Sequence, residues 1–218
     1  MDTYTFRKVF SSDRMQKYLD LHHPDDEKAL LHYRINILIS EASYPLLSIF
    51  EVALRNSLNR ELIKHFGTTD WYLQIEADTA LKDLAGDIKT AMRHITKRGE
   101  TINSSKVIGE LTLGFWVRIL NVEYEMVLWK SLRRAFPYMP KQDRKRHMVS
   151  GPLNKIRDFR NRVYHNEPVS WRLDKVEEIH DKIIVVLGWL NNELPEYANS
   201  ITRFNDVLMQ AKIDLAIK

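Results

Sequence analysis

The chain has 218 residues, 44% of them hydrophobic and 28% charged, with a formal net charge of +4 and no cysteine. That length is enough to bury a substantial core in one domain. The lack of cysteine excludes disulfides, thiolate catalysis and cysteine metal sites. The opening stretch "MDTYTFRKVF" lacks the apolar centre of a signal peptide. No apolar run reads as long enough to span a bilayer. A soluble, cytoplasmic protein with no membrane partner is therefore expected. No low-complexity tract or fixed-period repeat is evident.

In chain order, "SSDRMQKYLDLH" offers Ser11 or Ser12 as an N-cap for a short helix to about His22. Pro24 with Asp25 and Asp26 opens a long helix to about Ser43, its acids suited to the positive end of the helix dipole. Tyr33, Ile37 and Leu38 are expected to face its core. Pro45 predicts an interruption or a kink, because proline lacks the N–H that a helix interior needs. A second long helix then places Leu46, Ile49, Phe50, Ala53, Leu54, Ser57, Leu58 and Leu62 on one face at spacings of three and four. Gly67 is its expected stop.

"TTDWYLQIE" reads as a turn or a short helical piece. A helix from about Thr79 to Arg98 ends at Gly99. "SSKVIGELTLGFWVRIL" reads as one apolar helix with serine caps, divided by Asn121 from "VEYEMVLWKSLRRAF". A basic helix is expected from about Gln142 to Val149. A further helix, with Ser150 as its N-cap, starts at Gly151 and Pro152 and ends near His165. Pro168 disfavours helical geometry at the residue before it. Helices over Asp174 to Asn192 and Ser200 to Ile217 complete the chain. The fold class is all-α, a bundle of about eight helices. It forms one domain over residues 1–218, with a helical extension over 195–218.

Charge is unevenly spread. Between Lys141 and His165, eight Lys or Arg oppose two acids, whereas from Asp174 onward eight acids oppose five bases. A polyanion would favour the basic span; the plainer reading is a solvated helix face. Within that span lies "RDFRNRVYHNEPV". Cutting RNA without a metal requires proton removal from the 2′-hydroxyl, a proton for the leaving 5′-oxygen and stabilisation of charge on phosphorus. Histidine can move protons near neutral pH. Arginine can fork onto phosphate oxygens. Asparagine can orient either group, and tyrosine can stack on a base. Asn161 and His165 are four apart and share a helix face. Arg160 and His165 are five apart, which on an ideal helix sets them about 140° from each other. The helix end must bend, the pair must line a cleft from two sides, or a second copy must complete the site.

The spacing itself is weak. With 17 arginines and 8 histidines, an arginine followed by a histidine after four to six residues is expected about twice by chance, and two such pairs occur, Arg160 with His165 and Arg60 with His65. The second, just before Gly67, reads as a capping feature. Trp116 and Trp129 lie in apolar helical stretches and read as core. The adjacent His22 and His23 diverge on a helix and read poorly as metal ligands. "HDKIIVVLGWL" reads as a core or dimer face. No P-loop, dinucleotide fingerprint or nucleophile elbow is present.

"RNRVYHNEPV" resembles the signature of HEPN-domain ribonucleases, in which an arginine, a polar residue and a downstream histidine form the active motif. With "YRINILISEASYPLLSIFEVALRNSLNRELIKHFG", "ELTLGFWVRIL" and "LRRAFP", the chain resembles the Abi-like (abortive infection) branch of that superfamily over much of residues 30 to 170. The resemblance implies an HEPN-like helical domain that dimerises so that two motifs meet in one cleft. It implies metal-independent RNA cleavage with no cofactor, in phage defence or in a toxin–antitoxin pair whose antitoxin is RNA or protein. Arg160 and His165 match the catalytic pair, and Asn161 matches the polar position after the arginine. Arg55 and Asn56 match the family's "LRN" stretch. Arg162 and Tyr164 fall at variable positions of the family, so their candidacy for RNA binding rests on the residues themselves, as does that of Arg157; Arg55 and Asn56 complete the candidate RNA-binding set. A non-catalytic RNA-binding or regulatory module is the alternative, and a purely protein-binding bundle a third reading.

Overall fold

In a computed structural model of the chain, which describes residues 3–215, the described residues form helices and connecting turns with no strand. The α-helices are α1 (Thr3–Phe10), α2 (Ser12–His22), α3 (Asp26–Phe66), α4 (Tyr72–Ile75), α5 (Ala85–Lys97), α6 (Ser104–Glu110), α7 (Leu113–Arg118), α8 (Lys130–Leu132), α9 (Arg146–Tyr164), α10 (Leu173–Leu190), α11 (Leu194–Ile201) and α12 (Phe204–Asp214). There are twelve rather than about eight because several expected elements divide. A wide-turn segment (Glu125–Trp129) and short 3-10 segments link α7 to α8 and α8 to α9. The expected end of the last helix, at Ile217, lies outside the described residues.

The organising element is α3, 41 residues long. The Asp25 carboxylate accepts the Lys28 N–H at 2.8 Å at its start. At its end Gly67 takes a left-handed conformation and donates to the Ile63 carbonyl at 2.8 Å, which is the stop the sequence predicts. The expected interruption at Pro45 does not occur: the helix runs through it. A mid-helix proline costs about 3 kcal/mol. Ala42, Leu46, Leu47 and Phe50 surround it and are at most 1% exposed. Fully burying side chains such as Leu46, Leu47 and Phe50 is worth about 1.5–3 kcal/mol apiece, so packing outweighs the local penalty. The same holds for Pro152 inside α9. The predicted basic helix and the helix after Ser150 are therefore one. Ser150 is not an N-cap; its hydroxyl accepts from Arg146.

Helix α3 packs against α2, α7, α8, α10, α11 and α12. These neighbours bury apolar residues along its whole length, while Arg34, Glu41 and Arg60 stay exposed. By length and composition alone it is long and apolar enough to cross a membrane, which revises the expectation that no such stretch exists. Its seam also differs from the predicted one. Tyr33 is buried, but Ile37 and Leu38 are 51% and 37% exposed, and Ile35 and Ile39 take the core positions. The seam contains buried polar side chains, His32, Asn36, Ser43, Ser57 and Glu61, which disguise its period.

The "SSKVIGELTLGFWVRIL" stretch forms two helices, not one. Asn103, not a serine, caps α6 by accepting the Lys106 N–H. Leu111 turns extended, and Thr112 caps α7 by accepting the Phe115 N–H. Trp116 is fully buried and Trp129 is partly buried against the core. Trp71 is fully buried too, its indole N–H donating to Asn59 at 2.8 Å. Ala198, Phe204, Leu208 and Ala211, from the C-terminal helices, lie in the same core cluster as α3.

A second cluster of Met15, Tyr18, Leu19, Ala29 and Tyr33 seats α2 on α3. Beside it runs a histidine relay. The Ser170 carbonyl can only accept, so Nε2 of His32, 3.3 Å away, carries the proton. Nδ1 of His32 is then the acceptor for Nε2–H of His22 at 2.9 Å. Protonating His32 would reverse this bond, His22 moving its proton to Nδ1 so that its Nε2 accepts. Burial lowers the pKa of His32 and, reinforced by Lys28 and opposed by Asp25, that of His22. Burial also lowers that of His180, against the pull of Asp181. These groups bind protons more readily in the unfolded chain. Their stabilisation is complete above the ordinary value of 6.5 and is lost as pH falls through their lower folded values. The melting temperature should therefore drop between about pH 7 and pH 5. It should drop less in His180→Phe, and thermal melts by circular dichroism read both.

Candidate functional site

Helix α9 carries the motif and lies between α3 and α10. Val149, Leu153, Ile156, Phe159 and Val163 form its buried stripe. Arg160 sits on the α3 side of that stripe. Its Nε donates to the Glu51 carboxylate at 3.2 Å, with both side chains about one-fifth exposed. Its guanidinium also lies 4.0 Å from the centroid of the Tyr164 ring. Tyr164 in turn stacks on Tyr44 of α3, ring centroids 5.8 Å apart and 22° from parallel. Burial, then Tyr44, raises the Tyr164 pKa, so the phenol stays neutral. The result is a half-buried arginine held between a carboxylate and an aromatic face, at the edge of solvent.

His165 lies where α9 ends. The Asn166 N–H reaches the Val163 carbonyl at 3.2 Å, and the Glu167 N–H reaches the Arg162 carbonyl at 2.8 Å. Asn166 has φ of 55°. This is a left-handed C-terminal cap, in which asparagine is the usual substitute for glycine. The stop expected from Pro168 is thus made two residues earlier by Asn166. The chain then returns to α3, where the Asn36 side-chain oxygen accepts the Val169 and Ser170 N–H groups at 2.7 and 3.1 Å. The His165 backbone N–H donates to the Asn161 carbonyl at 2.9 Å. Its imidazole is exposed and has no hydrogen-bond partner among the described residues. Asn161, half-buried, likewise keeps its side-chain amide free among those residues.

Arg160 and His165 are not joined by a hydrogen bond within the chain; Arg160 turns to α3 and His165 stands at the helix cap. The remaining candidates divide. Arg157 pairs with the neighbouring Asp158 at 2.8 Å. Arg162 lies on the opposite flank of α9, donating to the Pro168 carbonyl and pairing with Glu167 at 3.6 Å. There it lines a 350 Å³ cavity toward α10 with Lys155 and Trp171, so it does not share a surface with Arg160. Arg55 is one helical turn beyond Glu51 and with Asn56 lines a polar cavity of 310 Å³ that also takes in Asn59, Ser104 and Ser105.

The basic span also thins. Arg144 donates to the Pro137 and Met139 carbonyls at 2.8 and 2.6 Å. Arg146 binds Glu125 at 2.7 Å and the Ser150 hydroxyl. Both hold the loop before α9. Lys141, Lys145 and Lys155 remain exposed, with no side-chain partner among the described residues. The Arg60–His65 pair is split: Arg60 binds Ser57, and His65 binds Ser131 at 3.0 Å, tying the end of α3 to α8. His22, weighed as a metal ligand, is committed to His32.

Glu51, Tyr44, Arg14 and Asn36 are missing from the sequence-derived set. Tyr44, Glu51 and Arg55 are seven and four residues apart, a spacing that puts them on one face of α3. Treating Pro45 as a break hid that continuity. Arg14, from α2, donates to the Asn166 carbonyl at 3.1 Å and brings a further cation beside His165. The chain matches no protein-family model, no curated protein and no solved structure.

Proposed function

We propose that the chain is a metal-independent endoribonuclease of the Abi-like, HEPN type, working as a homodimer in phage defence or as the toxin of a toxin–antitoxin pair. The observation that carries this reading is the pairing of two different groups on one helix. One is Arg160, oriented by Glu51 and Tyr164; the other is the exposed, uncommitted imidazole of His165 at the same helix end. His165 takes the proton from the 2′-hydroxyl or returns one to the 5′-oxygen. Arg160 forks onto the phosphate oxygens and holds the charge that develops there. Asn161 positions one of the two. Lys141 and Lys145 attract the RNA backbone. The products are a 2′,3′-cyclic phosphate and a free 5′-hydroxyl.

The second reading is a non-catalytic RNA-binding module. It is favoured by the Arg160–Glu51 ion pair and by the absence of a hydrogen bond between Arg160 and His165 among the described residues. Incubating the purified protein with structured RNA in excess chelator separates the two. Fragments ending in 2′,3′-cyclic phosphate are expected. RNA retention without cutting would favour the module, and no retention at any salt concentration would defeat both.

A further inference from the structure

A cavity of 640 Å³ lies between the end of α1, α2, the first half of α3 and the end of α9. Small-molecule sites commonly fall between about 300 and 1,000 Å³. Its lining is aromatic on two sides. Tyr44 and Tyr164 form one wall, stacked yet 55% and 38% exposed. Phe10 and Tyr33, centroids 5.5 Å apart, contribute to the other. Rings that pack only to fill a core are normally covered; here two of them present part of their surface to an open slot.

The polar lining of the same cavity comprises Arg14, Asn36, Ser40, Asn166, the tyrosine hydroxyls and the Glu41 carboxylate, which pairs with Arg203. The Asn36 oxygen already accepts two backbone N–H groups, so its amide NH2 is a donor with no partner among the described residues. The Ser40 hydroxyl donates to the Asn36 carbonyl and keeps its lone pairs as acceptors. Arg14 uses one nitrogen on Asn166 and has further N–H groups to give. Aromatic rings with a small set of donors and acceptors suit a planar nitrogen heterocycle. Tyr164 belongs to this wall and also lies against the Arg160 guanidinium, so an occupant would sit beside the group assigned to the phosphate.

We infer that this cavity binds the nucleobase of the nucleotide next to the cleaved phosphodiester. The identity of the ligand rests on the RNA reading above. The cavity would then set the base preference of cleavage, with Asn36, Ser40 and Arg14 reading the base edge.

The test uses the four nucleoside 5′-monophosphates, which contain no bond to be cut, titrated calorimetrically into the full chain. At least one should bind. Ile37 lines the cavity and is half exposed, so Ile37→Trp fills it at little cost to folding and should weaken binding about tenfold or more. Tyr44→Ala is the second variant and should lose affinity to a similar degree. A short mixed-sequence 2′-O-methyl RNA, which cannot be cut by 2′-hydroxyl attack, should displace the mononucleotide. No binding by wild type, wild-type affinity in both cavity variants, or failure of the RNA to compete would overturn the inference. Nucleotide binding without RNA cleavage defeats the nuclease reading alone, and cleavage without nucleotide binding defeats the cavity alone.

Discussion

Alanine at position 165 abolishes RNA cleavage and leaves the melting temperature unchanged. This is the expected result, and both halves follow from where the residue sits. The imidazole is exposed and has no partner among the described residues. Among the described residues His165 bonds through its backbone N–H, to the Asn161 carbonyl at the helix end, which alanine preserves. Surface changes of this kind stay within about 0.5 kcal/mol. Asn166, not His165, adopts the left-handed turn, so the helix end survives as well. Loss of a positioned proton-transfer group, by contrast, slows such reactions by about 10²–10⁴. Initial rates on labelled RNA, with melting curves and sedimentation on the same preparations, check both. Cleavage by the variant at the wild-type rate would remove His165 from the mechanism.

The helix ends were largely legible because each depends on a short local signal: Asp25 accepting from Lys28, Gly67 in a left-handed turn, Gly99 likewise. The path between the ends was less so. Pro45 and Pro152 both read as breaks, because propensity is local and the packing that overrides it is not. Ile37 and Leu38 were expected in the core of a two-faced helix. They surface because Ile35 and Ile39 take the core positions instead, and polar residues such as Asn36 take seam positions that hold the returning loop. The opposite error, reading one helix where two form, arose at Leu111 and Thr112, which carry neither glycine nor proline. The motif itself was visible as a string of residue types. Which groups are free was not. Eight bases between Lys141 and His165 look alike in sequence, yet Arg144 and Arg146 are spent on the loop before α9. Glu51 and Tyr44, which orient Arg160 and Tyr164, lie more than a hundred residues away.

Arg160→Lys should retain most RNA binding and lose cleavage by about 10²–10³, because lysine keeps the charge but not the planar fork that matches a phosphate. A filter-binding assay with uncleavable RNA, run beside the cleavage assay, separates the two effects; a lysine variant that cuts normally would show that charge alone suffices. The same variant also asks how Arg160 and His165 meet. Within one chain the arginine is held toward α3 by Glu51 while the histidine stands past the helix end. On an ideal helix the two diverge by about 140°. A two-fold dimer offers a way to bring the arginine of one copy to the histidine of the other. Co-expressing Arg160→Lys and His165→Ala chains then gives mixed dimers in which one of the two composite sites is intact. With random pairing, about a quarter of wild-type activity should return from two inactive proteins. If nothing returns, while each variant still dimerises, both groups must act from the same chain, and Arg160 must leave Glu51 for the phosphate as RNA binds.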